Sequence, residues 1–459
     1  VSNPIRNIFS IPELKKRVLF TLGMLAVFRI GGHIPTPGIN GKALAAFFKQ
    51  VQGSFLGLVD LFSGGNLSQM TIFALGVMPY ISAAIIMELL VVVSPYIERL
   101  SKEGEYGRKK ITEYTRYGTV LICVIQSLGI ATMLESMSAG GMKVVMFPGW
   151  GFRLLTVLTL TTGSVFLMWL GEQITEKGIG NGISLLIFAG IIKRFPSQFK
   201  RVYQQVIDGE VSVISLILFV ALLIAIIGVV VFVERAYRRI PIQYAKRVVG
   251  RRVYGGQSTH LPIKVNTGGV IPIIFASSIV TIPTAFQGLA NKYKWFAEVA
   301  RQLSWGMPLY NLLYFVGIIF FTYFYVSIIF NPQDVADNIR KYGGFIPGIR
   351  PGKPTADYID KVLSRLTFVG ALYLALVAII PEFMIFGFKV GALPWIGPSL
   401  EKIMPDWVVS GLGIQFFFGG TSLLIVVGVA MDTLQQIEAQ LVMRNYDGFI
   451  KGVRVRGRR

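Results

Sequence analysis

An all-α polytopic membrane protein is the fold class the sequence predicts, and three observations predict it. Of the 459 residues 53% are hydrophobic, and the mean hydropathy is +0.60. Charged residues make up only 15%, against about a quarter in an ordinary soluble domain. Apolar segments of spanning length recur along the whole chain, separated by basic stretches.

The start, residues 1–17, holds Pro4, Pro12 and the run Lys15-Lys16-Arg17 and reads as a cytoplasmic segment. The first span is expected over 18–34. No small-residue cleavage site follows it and many more spans do, so it is not read as a signal peptide. Arg29 inside it has to face protein or water. The stretch 53–94 is unusual. Its first part, 55–62, is apolar and is broken by Ser63-Gly64-Gly65-Asn66. Eight residues cover only ~12 Å as helix, too little for a hydrocarbon core of ~30 Å. Two readings fit: a broken helix that lines a cavity, or an amphipathic surface helix. A full span is expected over 71–93.

Further spans are expected at 114–134, 152–170, 179–192, 213–233, 270–286, 309–330, 366–386 and 412–431, which makes ten. The fifth and seventh read as short and marked by glycine or proline, the pattern of a pathway rather than of lipid-facing scaffold. With the N-terminus inside, the inner stretches hold more than twice as many Lys and Arg as the outer ones, so both termini are expected to be cytoplasmic. The 195–211 segment is read as an external linker. Lys193, Arg194, Lys200 and Arg201 around it break the charge rule locally.

Two cytoplasmic loops, 234–266 and 331–365, are longer than simple connectors. The first mixes β-prone residues with cations and reads as a protruding hairpin-like arm; the second carries Gly348-Ile349-Arg350-Pro351-Gly352. A solvated, topology-setting loop is the plain alternative for both. The tail, 434–459, reads as partly helical and ends in a run rich in arginine.

Catalytic and metal chemistry find no support. There is no P-loop, no HExxH, no G-x-S-x-G elbow and no Cys/His cluster; the one cysteine is Cys123 and the two histidines are His33 and His260. Gly178-Ile179-Gly180-Asn181-Gly182 lacks the third spaced glycine of a dinucleotide fingerprint. No cofactor and no enzyme activity are expected. Glu88 and Asp432 fall near cytoplasmic helix ends, where they can reach water. Val77 with Ile81 and Ile183 with Ile187 are pairs four residues apart that each share a helix face. Ordinary packing explains such pairs. So does a hydrophobic constriction that excludes ions by dewetting.

Ten ordered stretches carry a family resemblance: FRIG at 28–31, IPTPG at 34–38, MPYISA at 78–83, RYGT at 116–119, GEQIT at 171–175, GIGNGIS at 178–184, YAKR at 244–247, STHLP at 258–262, PGIRPG at 347–352 and GGTSLLI at 419–425. Over nearly its whole length the chain resembles the SecY family, the channel subunit of the bacterial Sec translocon. The resemblance implies two inverted, pseudo-symmetric halves of five helices forming a clamshell, 18–194 and 212–433, with unfolded polypeptide crossing between them. It implies a plug half-helix at 56–67, bearing Leu56, Leu58, Val59, Leu61, Phe62, Gly64, Gly65 and Leu67. It implies a pore ring of Val77, Ile81, Ile183, Ile187, Ile274 and Ile425, in which Val77 departs mildly from the family's isoleucine. A lateral gate toward membrane lipid would use Ser82, Gln126 and Asn266. Lys246, Arg247, Arg251, Arg252 and Arg350 would dock the ribosome or the SecA motor. SecE and SecG would be the membrane partners, signal sequences and unfolded polypeptides the cargo, and the bacterial cytoplasmic (inner) membrane the location.

The physics is consistent with that resemblance. A pore for varied chains cannot bind any of them tightly, whereas deformable apolar side chains seal around all of them. The sequence offers no ATP site, so the energy has to come from a partner or from the membrane potential. The runner-up is a secondary solute transporter, which would need coupling-ion carboxylates at mid-membrane. A third reading is a ribosome receptor or scaffold that acts through its basic loops alone.

Overall fold

The computed structural model describes residues 11–50, 60, 63–136, 138–139, 142–209, 211–244, 247–249, 252–254, 258–285, 302–303, 307–387 and 420–452. The protein divides into two units, Val1–Phe199 with Val429–Arg459, and Lys200–Gly428. Among the described residues, six helices are long and apolar enough to cross a membrane, or seven if the bent pair Met78–Val93 and Pro95–Lys102 is one span.

In the first unit the helices are α1 (Pro12–Gly31), α2 (Gly41–Gln50), α3 (Met78–Val93), α4 (Pro95–Lys102), α5 (Glu105–Ser136), α6 (Trp150–Lys177) and α7 (Gly182–Ile207), the last passing to the second unit at Lys200. α3 starts later than the sequence suggests. Residues 71–77 form successive turns instead of the first part of a span. Gly76 has φ +59°, which ends any helix reaching it, and Pro79 stands in the first turn of α3, where its missing N–H costs nothing. The turn backbone bonds outward: Ile72 N–H donates to the Ile34 carbonyl at 3.0 Å, and Thr36 N–H to the Met70 carbonyl at 2.8 Å. Gly31 and Gly163 let this segment approach, one against the Phe73 ring and the other against the Ile72 carbonyl. Phe73 and Ala74 are fully buried. Non-helical backbone in an apolar region is tolerated under such protein cover.

At the other end of α3 the chain bends by 99°. Ser94 is extended (φ −102°, ψ +113°), the conformation imposed on a residue that precedes proline. The short α4 is polar on one face. Its Lys102 ammonium donates to Glu98 at 2.7 Å and holds that carboxyl below the usual range. α5 and α6 run alongside each other. At their junction a core gathers Leu44 and Phe48 of α2 with Leu67, Met70, Leu75, Leu134, Val145 and Phe152.

α7 is longer than the fifth expected span. The helix does not end at 192 but continues through Pro196 to Ile207, across most of the segment read as a linker. Proline removes one N–H and crowds the carbonyl one turn earlier, which kinks a helix more readily than it stops one when packing continues on both sides. Here Phe195 and Phe199 meet across the proline at 5.9 Å, and Ser197 Oγ donates to the Arg194 carbonyl at 2.8 Å. The helix stops only before Gly209, at φ +74°.

The second unit contains α8 (Val213–Glu234), α9 (Ile271–Ala285), α10 (Pro308–Ile329), α11 (Pro332–Lys341) and α12 (Lys353–Phe386). α13 (Gly420–Gly452) begins in this unit and passes to the first at Val429; residues 412–419, the expected start of the tenth span, lie outside the described residues. Ser212 caps α8 by accepting the Ile214 N–H, and Asn331 caps α11 by accepting the Gln333 N–H at 3.0 Å. α12 starts well before the expected 366, because Pro354 occupies its first turn behind Gly352, at φ +101°.

Between α5 and α6, β1 (Ser138–Ala139) pairs antiparallel with β2 (Met142–Lys143), and the arm at 234–266 is also β structure. β3 (Tyr237–Tyr244) pairs antiparallel with β6 (Ser258–Lys264), and between them β4 (Arg247–Val249) pairs with β5 (Arg252–Tyr254). The second long loop adds β7 (Gly344–Phe345) to the free side of β3, giving the order β6-β3-β7. Along β3 burial alternates, so Ile240 and Ile242 point inward onto Ile263, Ile339, Ile346 and Ile359. The two loops that read as independent in the sequence thus share one sheet and one core.

Candidate functional site

The expected ring residues fall on four helices. Val77 is the residue that precedes α3, and Ile81 stands one turn inside it, donating its N–H to the Val77 carbonyl at 3.1 Å. Ile183 and Ile187 occupy the first two turns of α7, Ile274 the first turn of α9, and Ile425 the second turn of α13. All are buried except Ile183, which is half-buried. Val77, Ile81, Ile183 and Ile187 belong to the first unit, Ile274 and Ile425 to the second.

On α7 the ring pair is part of a longer stripe. Positions 183, 187, 190 and 194 follow the i, i+4, i+7, i+11 spacing and lie on one face. Gly190 is buried against Gly64, where a Cβ would lie 2.7 Å from the Gly190 Cα. One turn further, Arg194 Nη2 donates to Asp60 Oδ2 at 2.7 Å. The Asp60 carboxylate is 2% exposed and the Arg194 side chain 23%. The Asp60 Oδ1 atom accepts the Ser68 N–H at 2.8 Å, and its carbonyl accepts the Gly65 N–H at 2.8 Å. Ser63 Oγ accepts the Leu67 N–H at 3.2 Å. Gly64 and Gly65 are both left-handed, at φ +71° and +80°, a conformation that costs a non-glycine residue about 1–2 kcal/mol. The Gly64-Gly65 break in the sequence is therefore a tight turn seated on α7. Of the expected plug residues, Gly64, Gly65 and the buried Leu67 stand in this turn; Leu56, Leu58, Val59, Leu61 and Phe62 lie outside the described residues.

Among the gate candidates, Ser82 on α3 and Gln126 on α5 are half-buried on helices that pack together. Asn266 is buried in the second unit. Its Nδ2 donates to Glu234 Oε1 at 2.6 Å and to the Gly269 carbonyl at 3.3 Å. Among the docking candidates, Arg350 is exposed in a turn between Gly348 (φ +81°) and Gly352, and its carbonyl accepts the Thr355 hydroxyl at 2.9 Å. Arg247 and Arg252 stand on the paired strands β4 and β5, while Lys246 and Arg251 lie outside the described residues. Among the described residues, no group of three or more His, Cys, Asp or Glu side chains could hold a metal ion.

Two things escaped the sequence reading. Glu88 does not reach water with both oxygens, since its Oε2 is buried without a hydrogen-bond partner. Asp60 was not singled out, and Arg194 was noted only among four cations that break the expected charge rule; neither was paired with the other. Asp60 is the lone carboxylate in the apolar stretch 53–87, and Arg194 is a cation next to a segment expected to be external.

The fold is that of the protein-conducting channels. A solved structure described as that of a SecY protein whose plug domain stabilises the closed channel superposes with a TM-score of 0.63 at 19% identity, covering 96% of this chain and 97% of the other. Canine Sec61 in a ribosome–channel complex from the endoplasmic reticulum matches with a TM-score of 0.58 at 16% identity, covering 96% and 97%. The family profile for SecY matches residues 71–434. Protein translocase subunit SecY of Escherichia coli K12 is 48% identical over 448 residues, 97% of this chain and 96% of that protein. The chain belongs to the SecY family.

Proposed function

We propose that this protein is the central channel subunit of a Sec translocon, conducting unfolded secretory polypeptides across the membrane and releasing transmembrane segments sideways into lipid. The observation that carries the reading is near-full-length identity of 48% to a protein translocase subunit. The stripe on α7 supports it from the residues upward. Two isoleucines of the expected ring lie in line with the turn that closes over Gly190. The six ring residues Val77, Ile81, Ile183, Ile187, Ile274 and Ile425 then act as a gasket, excluding ions by dewetting while binding no chain tightly. The turn at 63–67 is the end of a plug. Ser82, Gln126 and Asn266 line the lateral gate.

The finer assembly follows from the same reading. Ten spans form two inverted halves, with both termini in the cytoplasm of a bacterial cell and the protein in its inner membrane. The sheet β6-β3-β7 and the Arg350 turn face the cytoplasm and dock a ribosome or the SecA motor. A ribosome-bound relative, canine Sec61, shares the fold. SecE and SecG complete the complex. The protein is a channel and not an enzyme, so movement draws on the motor, the ribosome or the membrane potential.

Conductance across a planar bilayer tests the reading. Purified protein should be nearly silent at rest and should conduct once a translocating chain is trapped in it and then released. A solute-coupled current, or no current in either state, would remove the channel function.

A further inference from the structure

The buried contact between Asp60 and Arg194 is not accounted for by a ring and a plug alone. The charges sit on two pieces of chain 134 residues apart in sequence, which otherwise meet here through the bare backbone of Gly64 and Gly190. The cationic side belongs to α7, a continuous helix of 26 residues. The anionic side belongs to a turn built on two left-handed glycines. Lys193 adds a second cation on the helix. A Cβ on Gly65 would lie 3.8 Å from Arg194 Nε and 4.0 Å from Lys193 Nζ, and that ammonium is buried with no hydrogen-bond partner. Two cations on the helix therefore face a single carboxylate on the turn.

We propose that Asp60–Arg194 is an electrostatic latch that holds the 63–67 turn on the ring-bearing face of α7 and has to part before the channel opens. Three features make it a latch rather than a static brace. The pair is directional, because Asp60 accepts Arg194 with one oxygen and orders its own turn through the Ser68 N–H with the other. The glycine pair Gly64–Gly190 beside it provides close approach without interlocking side chains, so on the α7 face the charge contact is the specific tie, while Leu67 at the far end of the turn packs in the core with α2. The contact also lies on the stripe of Ile183 and Ile187, about 10 Å beyond Ile187 along the axis, so its position reports on the face that lines the constriction. A carboxylate buried at 2% exposure is stable only while its partner is present, which makes release all-or-none.

The inference rests on the channel reading, and a double-mutant cycle separates the two. Resting and chain-trapped conductance are measured in planar bilayers for the full chain, for Asp60→Asn, for Arg194→Gln and for the double variant, with resistance to proteolysis confirming that each folds. Each single substitution should raise resting conductance by about tenfold, and the double variant should be no leakier than the worse single, because both remove the same contact. Trapped-chain conductance should stay at its normal value in all four. Additive leaks from the two sites, or resting conductance unchanged in both single variants, would overturn the latch. If the unsubstituted chain fails to conduct even with a trapped polypeptide, the channel reading itself fails and the latch falls with it.

Discussion

Arg350 shows what a single residue adds to a loop that otherwise reads as background charge. It is exposed at a turn tip between two left-handed glycines, and its own carbonyl is tied to Thr355. A cation needed only for topology could be exchanged for lysine, whereas one that docks a partner offers a planar fork that lysine cannot reproduce. At a desolvated contact, truncating such a residue costs about 2–5 kcal/mol. Arg350→Glu should therefore abolish, and Arg350→Lys impair, the stimulation of the soluble motor's ATPase by vesicles carrying this protein. Resting conductance should not move in either variant. Full stimulation by the Glu variant would return Arg350 to the topology-setting background. Sequence alone raised this candidate because glycines around a cation are visible in one dimension. Asp60 and Arg194 could be noticed there only as two oddities, since a contact between distant positions leaves no mark in the order of residues.

At the scale of elements, the sheet β6-β3-β7 was half legible. Alternating β-prone residues in 237–264 announced an arm, and β3 with β6 forms one. Nothing in the second loop announced that Gly344 and Phe345 would join it, because a two-residue strand has no periodicity to read. The shared core gives the sheet its rigidity, so substitutions there should act on docking without touching a charge. Ile242→Ala should cost about 2–5 kcal/mol of local stability. Hydrogen exchange should then speed up in both β3 and the 344–352 segment, and motor stimulation should fall. Faster exchange confined to β3 would mean that the two loops are not one unit. The gasket is testable at the same scale. Replacing Ile81, Ile187 and Ile274 together with glycine should wet the constriction and raise resting ion conductance while polypeptide transport continues. An unchanged resting conductance would take these residues out of the ring.

For the whole molecule, membrane character comes from composition, and the expected topology from where Lys and Arg fall. A periplasm-active reporter fused to the C-terminal end should give no signal if the terminus is cytoplasmic, and a strong signal would put the basic sheet on the wrong side for any motor. The sequence by itself determined the polytopic helical class, the broken stretch at 53–94 and the family, because hydropathy, glycine placement and ordered motifs are properties of one strand of residues read in order. Tertiary structure decided where helices begin and end. The backbone at 70–77 gave up helical bonds for partners in the 34–36 segment, Ile72 with Ile34 and Met70 with Thr36, and α7 runs on through Pro196, where Phe195 and Phe199 pack across the proline. It also decided that a lone aspartate and an arginine that breaks the expected charge pattern are partners. Local propensity fixes what a segment can be. Which of those options wins is a matter of the atoms brought against it, and in an apolar interior an unpaired charge or backbone group is costly enough for those atoms to override propensity.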